Sequence, residues 1–566
     1  MDKKWDFSEI DEAQAKLLGD ELNIHPTLGG LLINRGITNF EKSRAFFRPS
    51  LDMLHDPFLM KDLDIAVNRL SEALIRNERI LIYGDYDVDG TTSVALVYLF
   101  LKNHTENIQF YVPDRYVEGY GISEKGIEFA ASIDCQLIIA LDCGIRALDM
   151  ADFSQKKGID LIICDHHIPG SILPKAHAVL DPKRKDCLYP FKELSGCGVG
   201  FKFLQGFCLK HTLDLGSLFN YLDLVAVSIA SDIVPMIGEN RILAYFGMKK
   251  INSQPLKSLQ ALIEIAGIKS PISISDVVFY LGPRINAAGR LRHAKESVDL
   301  LISENSVQLK DFAQQLNEVN RKRQNIDQNI TEEALKKIDK ELPNTAKSTV
   351  LFNSKWHKGI VGIVASRCVE HYFRPTIILT ESNGIATGSA RSVEGFDIHA
   401  ALGKCSDLLL QYGGHAFAAG ISLTLDKVEA FKKRFEEIVT NTILPEFEVP
   451  KLTVDAEVPF DFINIKNFNI LNQMTPFGPQ NMQPIFVTNR VKLVGRVKLI
   501  KEKHLKIKVR DGDNDAPFDA IAFGFGDLQS SLSTTKSFRM AYHIDLNEFR
   551  GRKRLQLIVK DIKFYN

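Results

Sequence analysis

The sequence lacks the marks of secreted and membrane proteins. Its eight cysteines include no C-x-x-C pair and no zinc-type spacing, so we expect reduced, mostly buried thiols. No stretch approaches the roughly eighteen consecutive apolar residues of a membrane span, and the first ten residues, MDKKWDFSEI, show no signal-peptide pattern. These absences predict a cytoplasmic protein that does not associate with a membrane.

Net charge is also missing, because 70 lysines and arginines balance 70 aspartates and glutamates. A balanced chain has no uniformly basic surface, so any site for a polyanion must come from local segregation of charge. We find no internal repeat and no low-complexity tract. At 566 residues the chain is long enough for three or four domains of about 150 residues, which excludes a single small binding module.

Residues 51–304 are predicted to form an α/β domain around a parallel sheet. Short apolar runs alternate there with helix-like stretches, a pattern typical of parallel strands that helices cover on both faces. The runs lie at 80–83, 108–112, 137–141, 161–164 and 178–180. In such folds the functional residues collect at the carboxyl ends of the strands.

Further segments complete the predicted organisation. Residues 1–50 form an N-terminal segment without an informative pattern, and the polar stretch 305–341 lacks glycine and proline, which predicts a long connecting helix. Residues 342–444 suggest a second α/β domain with a glycine-rich turn at 413–420. A linker near 445–450 leads into the strand-rich residues 450–566, for which we expect a small closed β-barrel.

Acidic residues follow the first apolar run at high density, with Asp85, Asp87 and Asp89 alternating in GDYDVDG. Two carboxylates about 4 Å apart repel by about 4 kcal/mol at an effective dielectric constant of 20, so the cluster favours divalent cations over a solvated acidic turn. Alternate residues of an extended segment lie roughly 6.6 Å apart, which suits two ions better than one. An EF-hand loop is excluded because its twelfth position, counted from Asp85, is Leu96 instead of glutamate.

Two more apolar runs end in the same way. Run 137–141 leads into Asp142, and run 161–164 leads into Asp165, His166 and His167. Each residue alone could cap a strand, but three strand ends that converge on aspartate and histidine predict a metal site. His166 offers an imidazole nitrogen that Asp165 could orient.

A further carboxylate, Asp232, follows the apolar stretch 222–231, where an unpaired charge would be unfavourable. Asp223, near the start of that stretch, is interpreted as a helix-surface residue and kept as a reserve ligand. Oxygen and imidazole donors of this kind favour Mg²⁺ or Mn²⁺.

Arginines close to glycine-rich motifs are candidates for gripping a substrate, because a guanidinium pairs with phosphate oxygens at two points. They are Arg115, Arg284 and Arg391, and each could also be an ordinary surface ion-pair residue. Tyr120 could stack on a base or belong to the core. His415, in the glycine-rich turn, could contact a terminal or scissile phosphate or have no role.

Positive charge is segregated in the last domain. Between Arg490 and Arg510 there are nine lysines and arginines and one acidic residue, Glu502. Several alternate with apolar residues, which puts the charges on one face of a strand. A solvated outer surface is the ordinary interpretation, but this local excess in a neutral protein favours contact with nucleic acid.

The order of these motifs resembles the DHH phosphoesterase superfamily: GDYDVDG at 84–90, DCG at 142–144, DHH at 165–167 and SDIVP at 231–235. Within it, the chain from residue 51 onward resembles the RecJ-type exonuclease family. The likeness extends to GPRINAAGR at 282–290, GSARS at 388–392 and GGH at 413–415, which look like that family's DNA-end and phosphate-binding motifs. It implies a parallel-sheet DHH domain, a DHH-associated domain and a C-terminal OB-fold.

The resemblance also implies a ligand set for two metal ions. Asp87 and Asp89 would bind different ions, Asp142 would bridge them, and His166 and Asp232 would complete the second site. Asp85 would be a further ligand or orient one, and His167 would belong to the catalytic group. Tyr83 stands where many superfamily members have histidine, which implies a more weakly held first ion.

The function implied by the resemblance is a 5′ to 3′ exonuclease specific for single-stranded DNA, which uses two Mn²⁺ or Mg²⁺ ions and releases 5′-mononucleotides in DNA repair and recombination. A RecQ-type helicase and a single-strand-binding protein are its implied partners. The implied substrate-binding residues are Arg115, Tyr120, Arg284, Asn286, Ser389, Arg391, Gly414 and His415.

Two alternatives stay open at this point. A DHH phosphodiesterase that acts on short oligonucleotides or cyclic dinucleotides would use the metals but leave the basic barrel without a role. A non-catalytic DNA-binding scaffold would not need the costly acidic cluster.

Overall fold

The computed structural model describes residues 3–343, 345–511, 517–549 and 551–565. Its strands are β1 (Lys4–Phe7), β2 (Ile80–Gly84), β3 (Ile108–Tyr111), β4 (Leu137–Leu141), β5 (Asp160–Cys164), β6 (Ala178–Leu180), β7 (Thr349–Phe352), β8 (Thr376–Ser382), β9 (Ile385–Arg391), β10 (Gln411–His415), β11 (Ala418–Thr424), β12 (Lys451–Val454), β13 (Ala456–Glu457), β14 (Phe486–Leu493), β15 (Lys498–Ile500), β16 (His504–Asp511), β17 (Phe518–Ala522), β18 (Phe538–Phe549) and β19 (Arg552–Phe564).

The helices are α1 (Glu12–Leu22), α2 (Pro26–Ile33), α3 (Phe40–Phe47), α4 (Leu63–Ile75), α5 (Val88–Lys102), α6 (Glu124–Ser132), α7 (Leu148–Lys156), α8 (Gly196–Lys210), α9 (Leu215–Phe219), α10 (Leu222–Ser231), α11 (Gly238–Ile251), α12 (Lys257–Ala266), α13 (Ile274–Asp276), α14 (Gly282–Leu291), α15 (Lys295–Ile302), α16 (Ser306–Glu341), α17 (Val361–Tyr372), α18 (Ile398–Gly403), α19 (Val428–Thr442), α20 (Ile465–Gln473) and α21 (Gln529–Thr534).

The chain forms two compact units. The first comprises residues 56–232 and 247–450, and the second comprises residues 3–55, 233–246 and those from 451 onward. The linear division predicted from the sequence treats residues 1–50 as a separate segment, whereas the structure groups 3–55 with the strand-rich C-terminal part. The sequence holds no local signal for this association, because the two segments are far apart in the chain.

A parallel sheet of order β3–β2–β4–β5–β6 organises the first unit, which confirms the predicted α/β architecture. β2 and β4 are buried at every position, and α5 and α8 pack against the sheet. Gly84, Leu141 and Cys164, the last residues of β2, β4 and β5, lie in register. The acidic residue that follows each of them is therefore brought to the same edge of the sheet.

The helix α16 runs without interruption from Ser306 to Glu341, and the Asn305 side chain caps its first turn. It leads into a mixed sheet of order β10–β11–β9–β8–β7, in which β7 and β8 are parallel. The glycine-rich segment, expected as a turn, forms most of the hairpin β10–β11. Gly414 has a φ of +144°, and a Cβ there would lie 2.3 Å from the carbonyl oxygen of Ala418, so a side chain does not fit.

In the second unit, β14, β18, β19, β17 and β16 form a closed ring, because β14 also pairs with β16. This five-stranded barrel is the predicted OB-fold. β1 pairs in parallel with β12. Leu28, Leu31 and Leu32 of α2 share one hydrophobic core with Phe486 and Tyr542 of the barrel, which explains why the N-terminal residues belong to this unit.

All eight cysteines are buried free thiols, as predicted. Burial raises the pKa of Cys143 and Cys164, which disfavours the thiolate form that binds metal ions. Within the described ranges, we find no helix whose length and apolarity would let it cross a bilayer.

Candidate metal centre and phosphate-binding cavity

Four of the predicted metal ligands meet at the carboxyl edge of the parallel sheet. The Nε2 atom of His166 lies 3.1 Å from Asp142 Oδ1, 3.6 Å from Asp232 Oδ2 and 3.7 Å from Asp89 Oδ2. Asp142 Oδ1 and both ring nitrogens of His166 are buried and have no hydrogen-bond partner among the described residues. Buried polar atoms without partners are rare and unfavourable, so these side chains fit a bound cation.

The acidic members of the cluster resist ionisation in the protein alone. Burial, together with the charge of Asp89, raises the pKa of Asp142 well above its ordinary value and that of Asp232 to about 8. Burial also raises the pKa of Asp85 and Asp87. A divalent cation favours the carboxylate forms and would reverse these shifts.

Helix α8 holds Asp89 in place. The carboxylate of Asp89 accepts hydrogen bonds from the N–H groups of Gly196 at 2.7 Å and Cys197 at 2.8 Å, and from the Ser228 hydroxyl at 2.7 Å. The first two donors lie in the first turn of α8, whose positive end stabilises a carboxylate. Asp89 is therefore fixed before any metal binds.

Asp85 and Asp87 lie beside this cluster. Asp87 caps α5, because its Oδ1 accepts the Gly90 N–H at 3.0 Å. Asp85 accepts the Gly121 N–H at 3.4 Å, and its Oδ2 is buried without a partner in the described ranges. The alternating carboxylates thus reach the strand edge together, but each is held by a different neighbouring segment.

Asp165 contacts the ring of His167, whereas it binds only the backbone N–H of His166, which corrects the prediction. Its Oδ1 accepts a hydrogen bond from His167 Nδ1 at 2.7 Å, and its Oδ2 accepts the Ile145 N–H at 2.8 Å. Burial opposes both charges, but the contact lowers the pKa of Asp165 to about 2 and raises that of His167 to about 9. The donor atoms of His167, Asp142 and His166 lie within 4.8 Å of one another, so His167 is also a candidate ligand.

Asp223 is buried and not on a helix surface, which corrects a second prediction. Its carboxylate accepts the Leu256 N–H at 2.8 Å, and burial raises its pKa to about 6. Asp223 lies at the start of α10 and Asp232 follows its end, roughly 13 Å further along the helix axis. Asp223 therefore ties α10 to the segment before α12 and is not one of the clustered ligands.

The same unit contains a cavity of about 560 Å³. Its lining includes the Ser389 hydroxyl and four cationic side chains, those of Arg115, Arg290, Lys358 and Arg391, and no carboxylate side chain among the described residues. None of the four cations forms an ion pair within the described ranges. Like charges gathered without counter-ions predict an anionic ligand.

Strand β9 and helix α17 shape one wall of the cavity. Ser389 and Arg391 lie two residues apart on one face of β9, and Arg391 Nη1 donates to Ser389 Oγ at 2.7 Å. A Cβ on Gly362, in the first turn of α17, would lie 3.1 Å from Arg391 Nη2 and 3.2 Å from Ser389 Oγ. The missing side chain lets the positive end of α17 lie against the guanidinium, as suits a phosphate site.

Arg290, the last residue of the GPRINAAGR motif, also lines the cavity, although no spacing in the sequence marks it as a candidate. Its guanidinium donates to the Gly359 carbonyl at 3.2 Å. Burial, followed by the repulsion of Arg115, Arg323 and Arg391, lowers its pKa to about 10. An anion in the cavity would relieve this repulsion.

Arg284 and Asn286, which belong to the same motif, are not among the lining residues. Arg284 donates to Asn317 Oδ1 at 3.1 Å and to the Tyr280 carbonyl at 2.7 Å. Asn286 Oδ1 is buried without a partner among the described residues. Six residues rotate a helix by about 240°, so Arg284 and Arg290 point in different directions from α14. A substrate-binding role for Arg284 and Asn286 stays a prediction.

Tyr120 lies beside the metal cluster, and His415 lies at the end of a strand that lines the cavity. The Tyr120 hydroxyl donates to the Asp142 carbonyl at 2.9 Å, and its ring meets that of His167 edge-on at 5.6 Å. Gly414 lines the cavity, and His415 follows it at the end of β10. Burial and the charge of His167 lower the pKa of His415.

The basic residues of the second unit lie on the outside of the barrel. In β16 the apolar residues are buried, whereas Lys506, Lys508 and Arg510 are not. Lys506 lies opposite Lys498 of β15 and Ile521 of β17. The alternation in the sequence thus produces a positively charged outer face.

Three family models match successive parts of the chain: the DHH family N-terminal domain at 79–229, the DHHA1 domain at 326–441 and the RecJ OB domain at 454–561. The single-stranded-DNA-specific exonuclease RecJ of Bacillus subtilis is 36% identical over 564 residues, which cover 99% of this chain and 70% of the relative. The Escherichia coli exonuclease of the same name is 32% identical over 557 residues, with 95% and 96% covered.

The crystal structure of RecJ from Thermus thermophilus in complex with Mn²⁺ aligns with a TM-score of 0.86 at 26% identity, and covers all of this chain and 80% of that one. Likeness along the whole length, barrel included, favours the exonuclease over the small-molecule phosphodiesterase and the scaffold. The chain belongs to the RecJ family of single-stranded-DNA-specific exonucleases.

Proposed function

We propose that this protein degrades single-stranded DNA from the 5′ end, with two Mn²⁺ or Mg²⁺ ions, and releases 5′-mononucleotides. The observation that carries this proposal is the cavity with four unpaired cations in the same unit as the carboxylate and imidazole cluster. The cavity suits a terminal phosphate, and the cluster suits the cations that phosphodiester hydrolysis requires.

Two overlapping groups of donors support two ions. One consists of Asp142, His166 and His167, and the other of Asp89, His166 and Asp232. In the proposed assignment Asp87 and Asp89 serve different ions, Asp142 bridges them, and Asp85 is a further ligand or orients one. When bound, the cations neutralise charge on the scissile phosphate and acidify the attacking water. The Thermus relative is described in complex with Mn²⁺.

The chain's own side chains determine which bond is cut. The terminal 5′-phosphate is held by four residues of the cavity: Arg391, Ser389, Arg115 and Arg290. His415 contacts the substrate from the hairpin tip. Holding that phosphate presents the next phosphodiester bond to the metal cluster, so each hydrolysis removes one nucleotide and exposes a new 5′-phosphate.

The basic face of the barrel binds the rest of the strand through its phosphates. We further assign the protein to the cytoplasm and to DNA repair and recombination, with a RecQ-type helicase and a single-strand-binding protein as partners. The resemblance to the family supports these assignments, since a helicase would supply the single strands that such an enzyme degrades.

The experiment compares single strands blocked at the 5′ end or the 3′ end, and a blunt duplex, with the full-length protein and Mn²⁺. A 5′ block stops digestion and a 3′ block does not, while the duplex resists. Arg391→Ala loses the preference for a 5′-phosphate over a 5′-hydroxyl. Arg434→Ala, which removes an exposed arginine of α19 in the same unit, keeps it.

Equal digestion of the 5′-blocked strand would contradict the proposed direction. Ready attack on the blunt duplex would favour a general phosphodiesterase instead. Product analysis completes the test, because mononucleotides with a 5′-phosphate are expected and dinucleotides are not.

A further inference from the structure

We propose that Tyr86 is a positioning residue that holds the Arg115 guanidinium in the phosphate cavity and thereby contributes to the preference for a 5′-phosphate. This inference rests on the proposed function of the cavity. Tyr86 occupies the position between Asp85 and Asp87, and both Tyr86 and Arg115 line the cavity.

The contact between the two side chains is a cation–π interaction. The guanidinium carbon of Arg115 lies 4.8 Å from the centroid of the Tyr86 ring. Arg115 is half-buried and forms no hydrogen bond or ion pair within the described ranges. The aromatic face is therefore the contact that fixes the direction of its guanidinium.

The surroundings of Arg115 make such a contact necessary. Arg290 and Arg391 lie close enough for their pKa values to be lowered in part by the charge of Arg115, after burial. Repulsion from Arg290 and Arg391 favours conformations in which the Arg115 guanidinium points toward solvent. A carboxylate would also hold Arg115, but it would neutralise the charge that a phosphate needs. The Tyr86 ring attracts the guanidinium and leaves its hydrogen-bond donors free.

The Tyr86 ring is itself anchored. It meets the Tyr120 ring edge-on at 6.3 Å, and the Tyr120 hydroxyl is bonded to the backbone of Asp142. Its backbone is packed tightly, because a Cβ on Gly289 would lie 2.7 Å from the Tyr86 carbonyl oxygen. Through these contacts, Tyr86 fixes the position of Arg115 with respect to the metal cluster.

The loop that carries Arg115 is braced by its own side chains. Asp114 Oδ1 accepts the N–H groups of Tyr116 at 2.8 Å and Val117 at 2.9 Å, and Glu118 accepts the Asp114 N–H at 2.8 Å. The backbone at Arg115 is thus fixed without Tyr86. Replacing the ring should release the Arg115 side chain and leave the loop in place.

The test measures kcat/KM of the full-length protein with Mn²⁺ on one single-stranded oligonucleotide that carries a 5′-phosphate or a 5′-hydroxyl. Tyr86→Leu lowers the ratio of the two values roughly tenfold, as expected for loss of a desolvated cation–π contact. Tyr86→Phe keeps the ratio, because it retains the aromatic face. Tyr98→Leu, a matched control on α5, leaves the ratio unchanged. Should Tyr86→Leu fail to fold, Tyr86→Met also removes the ring and fills the space with a flexible, unbranched side chain.

A double substitution separates positioning from a structural effect. If Tyr86 acts through Arg115, Tyr86→Leu combined with Arg115→Ala has the same ratio as Arg115→Ala alone. The inference is overturned if Tyr86→Leu slows both substrates equally, if it leaves the ratio unchanged, or if its effect adds to that of Arg115→Ala. A wild-type protein without a 5′-phosphate preference overturns the proposed function of the cavity as well.

Discussion

The Nε2 atom of His166 lies 3.1 Å from Oδ1 of Asp142, and both atoms are buried without a hydrogen-bond partner among the described residues. We predict that Asp142→Asn reduces hydrolysis with saturating Mn²⁺ to below roughly a tenth, because losing a bridging ligand removes several kcal/mol of transition-state stabilisation. Binding of single strands, measured by fluorescence anisotropy in EDTA, is largely kept. Asp149→Asn, which changes an exposed carboxylate of α7, retains activity. Activity above that tenth would exclude the bridging role.

Metal binding is also predicted to stabilise the first unit. A cation that binds only the folded protein stabilises it by about 2.7 kcal/mol at a hundred times its Kd, so Mn²⁺ should raise Tm. Differential scanning calorimetry compares EDTA with Mn²⁺ for the wild type and Asp232→Asn. The increase in Tm on addition of Mn²⁺ is smaller in the variant, because one carboxylate of the cluster is lost. An equal shift in both proteins would assign the stabilisation to another site.

The backbone of the hairpin β10–β11 is predicted to require glycine at position 414, which a measurement of stability can test. Gly414→Ala is predicted to destabilise the protein by about 1–3 kcal/mol, because its Cβ would clash with the Ala418 carbonyl at 2.3 Å and the backbone has a positive φ. Gly413→Ala is the matched control, since a Cβ there meets no atom within 4 Å. Urea unfolding compares the two variants. Equal stability would show that the hairpin adapts at little cost.

The outer face of the barrel is predicted to bind phosphates. Lys506→Gln and Lys508→Gln should each lower the slope of log K against log salt by about 0.7 for single strands. Lys16→Gln, which removes an exposed lysine of α1 in the same unit, is the control. An unchanged slope in both variants would mean that these lysines are only solvated. Point substitutions are preferable to removing the barrel, because residues 3–55 share its core.

His543 makes the stability of the second unit dependent on pH. Burial lowers the pKa of His543 from 6.5 to about 4, and its Nδ1 lies 2.7 Å from the Pro484 carbonyl. The folded protein binds this proton less readily than the unfolded chain, so its contribution is complete above pH 6.5 and is lost as the pH falls toward 4. The loss is on the order of 2–3 kcal/mol. His543→Gln should flatten the unfolding free energy over this window, and an unchanged pH dependence would contradict the assignment.

The sequence predicted the position of a residue best where that position follows from the strand to which the residue belongs or which it directly follows. Asp85, Asp142 and Asp165 each follow a buried parallel strand, and parallel strands end at a common edge, so their convergence could be predicted. The alternation of lysines in β16 likewise predicts an outer basic face. Both inferences depend only on local periodicity and on strand direction.

Contacts between distant segments could not be predicted in this way. Asp223 is buried because Leu256, more than thirty residues later, presents its N–H to the carboxylate. Arg290, and not Arg284, reaches the cavity because of the rotation of α14. Each outcome depends on three-dimensional packing that no spacing rule contains.

The second unit combines segments from both ends of the described chain, so its first segment is synthesised long before the strands of the barrel. Its first and last segments are separated by about 400 residues of chain. At 5–20 residues per second a ribosome needs roughly 20–80 s to span that interval. Throughout it, Leu28, Leu31 and Leu32 have no barrel to cover them, and β1 has no β12 to pair with. The apolar side chains of the nascent N-terminal helices therefore stay without their native partners over that interval, while the first unit, which carries the acidic cluster and the cavity, can fold ahead of them.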